Sequence, residues 1–377
     1  MSIKKAVLLL TLSLFISFSF GQPQIPEAIK TEIKKRVDNG VNASIVIGMI
    51  NKDGTQFFSY GKKSLASEEQ VDENSIYEIG SITKTFTGVM LAELAERGEL
   101  SLDDPLQKYL PEGIKAPTRN GEAIKLVHLS NHTSALPRMP DNFTPTDNAN
   151  PYVDYTEELL YDFLDNHELR RDIGSEFEYS NYAVGLLGHI LAKNQGLTYE
   201  ALMVKIIAKP LGMKNTRIEF TPKMKRHLVI GTDNGREVSN WDLITVAGAG
   251  AIRSDAADML KYLSANMGLT KTKLYPAMKT AQTSTVDESI GRIIGLGWIT
   301  RNTNTSEIIW HNGGTGGYRA FAGFTKDGKT GVVVFTNSTE SVDDIGFYAL
   351  DPSNEMRDIK PSISNAISEI IDSKGIK

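Results

Sequence analysis

The 377-residue chain contains no cysteine. That excludes disulfides, thiolate zinc sites, iron–sulfur clusters, a cysteine nucleophile and a lipid-modified cysteine behind a leader. A chain of this length buries a sizeable core without such staples, so export remains compatible with the absence. Blocks of positive charge are lacking too. Forty-one basic residues are scattered among 46 acidic ones for a net charge of −5, which gives nucleic acid nothing to hold. Aromatic residues make up only 8%. Beyond the first twenty residues no apolar run is long enough to span a bilayer.

Residues 1–21 have the pattern of a cleavable signal peptide. Lys4 and Lys5 precede an apolar stretch over 6–20, and Gly21 offers a small residue before Gln22. The run is short for a membrane anchor and a polar segment follows it. The mature protein is therefore expected to begin near Gln22 and to be periplasmic or secreted.

After the leader, Ile25, Ile29, Ile33 and Val37 form one face of an amphipathic helix; Ile363, Ala366, Ile367, Ile370 and Ile371 repeat that stripe at the far end. Strands are expected at 43–50 and 55–60 around an Asn-Lys-Asp-Gly turn. Three more are expected at 308–310, 318–324 and 331–335, the last two joined at Lys326-Asp327-Gly328. Between them, helices are expected at 83–97, 155–166, 182–194, 199–208 and 256–266, and the Pro-, Asn- and Thr-rich stretch 112–152 looks like a surface excursion. The pattern predicts an α+β fold. An antiparallel sheet drawn from both chain ends is flanked by the terminal helices, and a helical part covers roughly 82–290 of one unit spanning 22–377. A cleft between the two parts is the natural ligand site.

Three motifs carry chemistry. In Gly80-Ser81-Ile82-Thr83-Lys84, the serine stands where a helix begins and the lysine shares its face one turn later. The apolar residues that follow embed the helix. A lysine desolvated there loses its proton more readily and can act as base toward the serine hydroxyl. Tyr179-Ser180-Asn181 offers a phenol able to relay protons and an amide able to hold Lys84 or a substrate carbonyl, although Asn181 also stands at a helix start. In 310–318, Trp-His-Asn-Gly-Gly-Thr-Gly-Gly-Tyr, four glycines allow close approach to backbone N–H groups, and His311 can bind a polar group or assist proton transfer. No Gly-Lys-Ser/Thr follows, which removes a phosphate-loop reading. His128 and His132 are spaced i, i+4, but Leu129 stands where a metalloprotease has glutamate, so packing and capping explain them better. His167, His189 and His227 have no partners in pattern. No metal or cofactor is expected.

Taken together, the three motifs resemble the Ser-x-x-Lys, Ser-x-Asn and Lys-Thr-Gly boxes of the serine β-lactamase and penicillin-binding-protein superfamily. The likeness is nearest to its class C β-lactamase-like branch, where the second box is Tyr-x-Asn. Further similarity lies in 102–111, in 126–137 with His132-Thr133-Ser134, and in 210–213, 250–258 and 295–298, so it covers roughly 40–340 with the boxes in family order. The resemblance implies that Ser81 is acylated, that Lys84 and Tyr179 move the proton, and that Asn181 anchors the lysine or substrate. It further implies that His311 and Gly313 fill the third box and that the Gly314 N–H is an oxyanion donor. Histidine replaces the usual lysine there, so His311 is expected to face the recognition end of the substrate and to set preference. Implied substrates are β-lactams or D-amino-acid cell-wall peptides, with possible association with peptidoglycan. A carboxylesterase is the alternative enzyme, and a slow-turnover penicillin or wall-fragment binder the alternative from another class.

Overall fold

The computed structural model describes residues 21–286 and 288–357. The signal-peptide stretch 1–20 and the apolar stripe 363–371 lie outside them. Seven antiparallel strands form the main sheet. They are β1 (Ser44–Asn51), β2 (Gly54–Gly61), β3 (Ile293–Ile294), β4 (Ile299–Asn302), β5 (Glu307–Gly314), β6 (Arg319–Thr325) and β7 (Gly331–Thr336). Their order is β2-β1-β7-β6-β5-β4-β3. The first hairpin therefore pairs with the last strand, with Val46 opposite Phe335 and Gly48 opposite Val333. The sheet is built from both ends of the chain, as the sequence pattern predicts.

Both faces are covered, which is why β1 and β7 read as near-continuous apolar runs rather than alternating ones. On one face α1 (Glu27–Asp38) buries Ile29 and Ile33, and the last described helix, Asp343–Leu350, adds Ile345 and Phe347. The opposite face and the helical part share one larger core. At its centre α2 (Thr83–Glu96) is buried on every side from Thr83 to Leu94. A helix buried all round has no solvent face and can only be central. The helices α3 (Glu157–Asn166), α4 (Asn181–Asn194) and α5 (Ala256–Asn266) fall close to their expected positions. The expected helix over 199–208 is α-helical only for Tyr199–Met203 and widens to a π turn at Val204–Ala208.

Two expectations need correction. The stretch 112–152 is not wholly a surface excursion. It contains a short helix, Leu126–Ser130, and residues 131–136 are buried beside the cleft. The sheet also extends past β5 through β4 and β3, which are too short to show periodicity in the sequence.

Candidate active site

Ser81 stands in a single 3₁₀ turn, Gly80–Ile82, that leads directly into α2. Gly80 holds φ +49°, a conformation that disfavours a side chain, and a Cβ there would come within 2.6 Å of the Gly314 nitrogen. A Cβ on Gly313 would come within 1.9 Å of the Ile79 carbonyl oxygen. The end of β5 thus lies flat against the serine turn, and both glycines are there because backbone touches backbone. The amides of Ser81 and Gly314 border the same cleft.

Lys84 is completely buried. Its Nζ lies 3.0 Å from Ser81 Oγ, 2.9 Å from Asn181 Oδ1 and 2.6 Å from the Ala249 carbonyl oxygen. Burial holds its pKa well below the ordinary value, and the nearby Arg138 guanidinium lowers it further. Among the described residues no carboxylate pairs with Lys84. A neutral amine fits the three contacts. Once neutral, it can donate its two N–H groups to Asn181 and Ala249, which turns its lone pair toward the Ser81 hydroxyl.

Tyr179 hydrogen-bonds Ser81, and burial raises its phenol to about 12, although the Ser81 bond and Arg138 pull the other way. The phenol therefore keeps its proton at neutral pH while the amine beside it gives its own up. Lys84 Nζ lies 4.9 Å from the Tyr179 ring centroid and the Arg138 guanidinium 5.1 Å. Asn181 opens α4 behind an N-cap at Ser180, whose Oγ accepts from the Ala183 N–H at 2.9 Å. The cap fixes the amide where Lys84 can reach it.

Two imidazoles flank Tyr179. His132 stacks on its ring with centroids 4.5 Å apart, and His132 Nδ1 accepts from the Ser180 N–H. This places the His132 proton on Nε2. His311 lies 6.2 Å from the same ring and donates from Nδ1 to the Asn312 carbonyl, so its Nε2 is an acceptor. Neither Nε2 has a hydrogen-bond partner among the described residues. Burial holds His311 down at about 3, and it is neutral across the working range. The expectation that His311 faces the recognition end of the substrate is corrected here. His311 lies on the same face of β5 as Gly313 but is covered, 1% exposed, and is not among the residues that line the cleft. His132, read from sequence as a packing residue, does pack, but against Tyr179.

The cleft has a volume of about 510 Å³, and Ser81, Tyr179, Asn181, Gly313 and Gly314 all border it. The sequence reading did not find Arg138, Met139, Tyr152, Trp241, Leu243, Thr315 and Arg319, which complete the walls. Arg138 directly follows the similar stretch 126–137 and Arg319 closes the glycine-rich loop, so both had a positional signal. Tyr152 and Trp241 come from irregular loops and had none. Trp241 is fixed from below. Its backbone N–H donates to the buried Glu78 carboxylate at 3.0 Å, and Arg253 spans Glu78, the Trp241 carbonyl and Asp242.

With this geometry in hand, comparison with known proteins is decisive. A model of the β-lactamase family matches residues 29–350. The chain belongs to the β-lactamase family. It is 30% identical over 347 residues to the D-alanyl-D-alanine-carboxypeptidase/endopeptidase AmpH of Escherichia coli K12, covering 85% of this chain and 89% of that protein. It is 26% identical over 356 residues to a β-lactamase of the same organism, covering 85% and 90%. Among solved structures, a β-lactamase/D-alanine carboxypeptidase from Pseudomonas syringae superposes with a TM-score of 0.75 at 21% identity, over 88% of this chain and 99% of that one. The fold is of the β-lactamase/transpeptidase type, and the chain is an enzyme of this serine hydrolase family.

Proposed function

We propose that this member of the β-lactamase family is an exported hydrolase that cleaves β-lactams or D-amino-acid cell-wall peptides through an acyl-enzyme on Ser81. The observation that carries the reading is the buried Lys84 Nζ, held 3.0 Å from Ser81 Oγ by Asn181 Oδ1 and the Ala249 carbonyl.

Each step follows from the groups present. Lys84 takes the Ser81 proton as Oγ attacks the carbonyl carbon. Charge developing on the carbonyl oxygen is met by the Ser81 and Gly314 N–H groups, already held in place by the packed turns. Tyr179, which keeps its proton, passes it to the departing nitrogen and is recharged from Lys84. Water then enters, gives a proton back through the same pair, and releases the acid. Asn181 holds the lysine through Oδ1 and can donate its amide N–H to the substrate carbonyl. Neutral His132 and His311 hold Tyr179 from two sides without adding charge.

Export rests on the Lys-flanked apolar leader, and the relatives' names support the substrate class. No described helix is long and apolar enough to cross a membrane. The test is turnover on three compounds: a cephalosporin, a peptide ending in D-Ala-D-Ala and a short-chain ester. The proposal expects steady-state hydrolysis of the first or second at a higher kcat/KM than of the ester. Preference for the ester overturns the substrate class, and stoichiometric labelling without turnover overturns hydrolysis in favour of a binding role.

A further inference from the structure

The cleft is electrostatically lopsided. In a chain with a net charge of −5, the fifteen residues lining it include two arginines and not one aspartate or glutamate. Arg138 belongs to the helical side, and its backbone carbonyl accepts from the Asn181 N–H. Arg319 stands on the opposite, sheet side, at the start of β6.

The two fully buried arginines are neutralised, Arg36 by Asp344 and Arg253 by Glu78 and Asp242. Neither Arg138 nor Arg319 makes an ion pair among the described residues. Arg319 uses only Nη1, which donates to the Thr315 and Tyr318 carbonyls at 2.8 and 2.9 Å. Those two bonds lay the guanidinium over Gly314, since a Cβ at Gly314 would come within 2.8 Å of Nη1. Its Nε and Nη2 have no protein partner among the described residues. The acids in its surroundings are occupied elsewhere. Asp343 accepts from Asn312 at 2.6 Å and Asp233 from Thr339 at 2.8 Å. Burial pulls the Arg319 guanidinium below its ordinary pKa, and Asp343, Asp233 and Glu340 only offset that from a distance. A half-buried, always-charged group with a free fork of donors calls for an oxyanion.

We infer that the site selects substrates bearing two carboxylates, one anchored by Arg319 on the sheet wall and one by Arg138 on the helical wall, with the scissile carbonyl between them. The inference rests on the acyl-enzyme reading above and deepens it. It names Arg319 and Arg138, rather than His311 in the third box, as the groups that set charge preference. Met139, Tyr152, Trp241 and Leu243 complete the pocket for the apolar portion of such a substrate.

Four phenyl esters separate the contributions. The acyl part is hexanoate or hexanedioate, and the leaving group is phenol or 3-hydroxybenzoate. One carboxylate is thus placed on either side of the ester, on both, or on neither. A charge-assisted hydrogen bond corresponds to about tenfold or more in affinity. The dianionic ester should therefore exceed each monoanionic one by about tenfold in kcat/KM, and each of these should exceed the neutral ester. Arg319→Gln should remove the gain from one carboxylate and Arg138→Gln the gain from the other, read as ratios to the neutral ester in the same variant. The wild-type comparison needs no variant to fold. Equal kcat/KM for all four esters overturns the inference, as does a gain that either substitution leaves intact. If Ser81→Ala hydrolyses the esters as fast as wild type, the acyl-enzyme reading fails instead, and this inference with it.

Discussion

At the scale of single residues, the site works by sorting protons between two groups of unequal acidity. Lys84 is uncharged because nothing around it stabilises an ammonium: burial dominates and Arg138 adds repulsion. Tyr179 is protonated because burial raises it to about 12. The base must be neutral to act, so kcat/KM should rise with pH through a lysine pKa far below 10.5 and then stay level while the phenol remains protonated. Lys84→Ala should lower kcat/KM by about 10²- to 10⁴-fold and remove the ascending limb; an unchanged limb would assign it to another group. His311 makes a separate prediction about stability. Its folded pKa, about 3, lies below the ordinary 6.5. Between those values the unfolded chain binds a proton that the folded chain does not. The fold is therefore fully stable above pH 6.5 and loses stability as pH falls toward 3. At pH 5 the cost is about 2 kcal/mol. Urea melts of His311→Gln should show a smaller loss between pH 7 and pH 5 than wild type, and an identical loss would place the titration elsewhere.

At the scale of elements, alignment of the serine turn with the end of β5 is the main requirement. The backbone contact at Ile79 leaves no room for a methyl group on Gly313. Gly313→Ala should push β5 away from the oxyanion position and lower kcat/KM by about 10²- to 10³-fold, comparable with loss of an oxyanion donor, while circular dichroism stays native. Full activity would mean that the contact does not set the geometry. These elements differ in how plainly the sequence announces them. Ser81, Lys84 and the glycine-rich loop are legible because their chemistry is local: a helix start, a one-turn spacing, a run of residues without side chains. The strands β1, β2, β6 and β7 are legible as apolar runs between turns. His311 misleads because motif position says nothing about burial: it shares a face of β5 with Gly313, which borders the cleft, yet is itself covered. Arg138 and Arg319 are missed for the complementary reason. A charged residue in a loop or at a strand end looks like any surface charge until the cleft it borders is seen in three dimensions. Tyr152 and Trp241 meet only in three dimensions, at a centroid distance of 5.5 Å, across ninety residues of sequence.

At the scale of the whole molecule, the catalytic turn depends on closure of the sheet by chain segments nearly three hundred residues apart. That closure is reinforced on the outer face, where Arg36 of α1 meets Asp344 of the helix Asp343–Leu350 at 2.6 Å. Both are largely buried. Burial raises the Asp344 carboxyl, but hydrogen bonds and charge from Arg36 outweigh it and leave its pKa lowered. The pair's contribution is therefore present above the ordinary carboxylate pKa and is lost as pH falls through the lowered one. Asp344→Ala leaves the buried guanidinium only the Glu32 carboxylate at its Nε and should cost up to about 3–5 kcal/mol in denaturant unfolding at pH 7. A loss below about 1 kcal/mol, the range of exposed surface pairs, would show that the ends are held by apolar packing alone.

The central claim, that Ser81 is acylated with Lys84 as its base, is tested most directly by rapid mixing with a cephalosporin followed by acid quench and peptide-mapped mass spectrometry. The expected result is one adduct per chain on the peptide containing Ser81, absent in Ser81→Ala and formed far more slowly in Lys84→Ala. An adduct on another serine, or one that forms in Lys84→Ala at the wild-type rate, would contradict it.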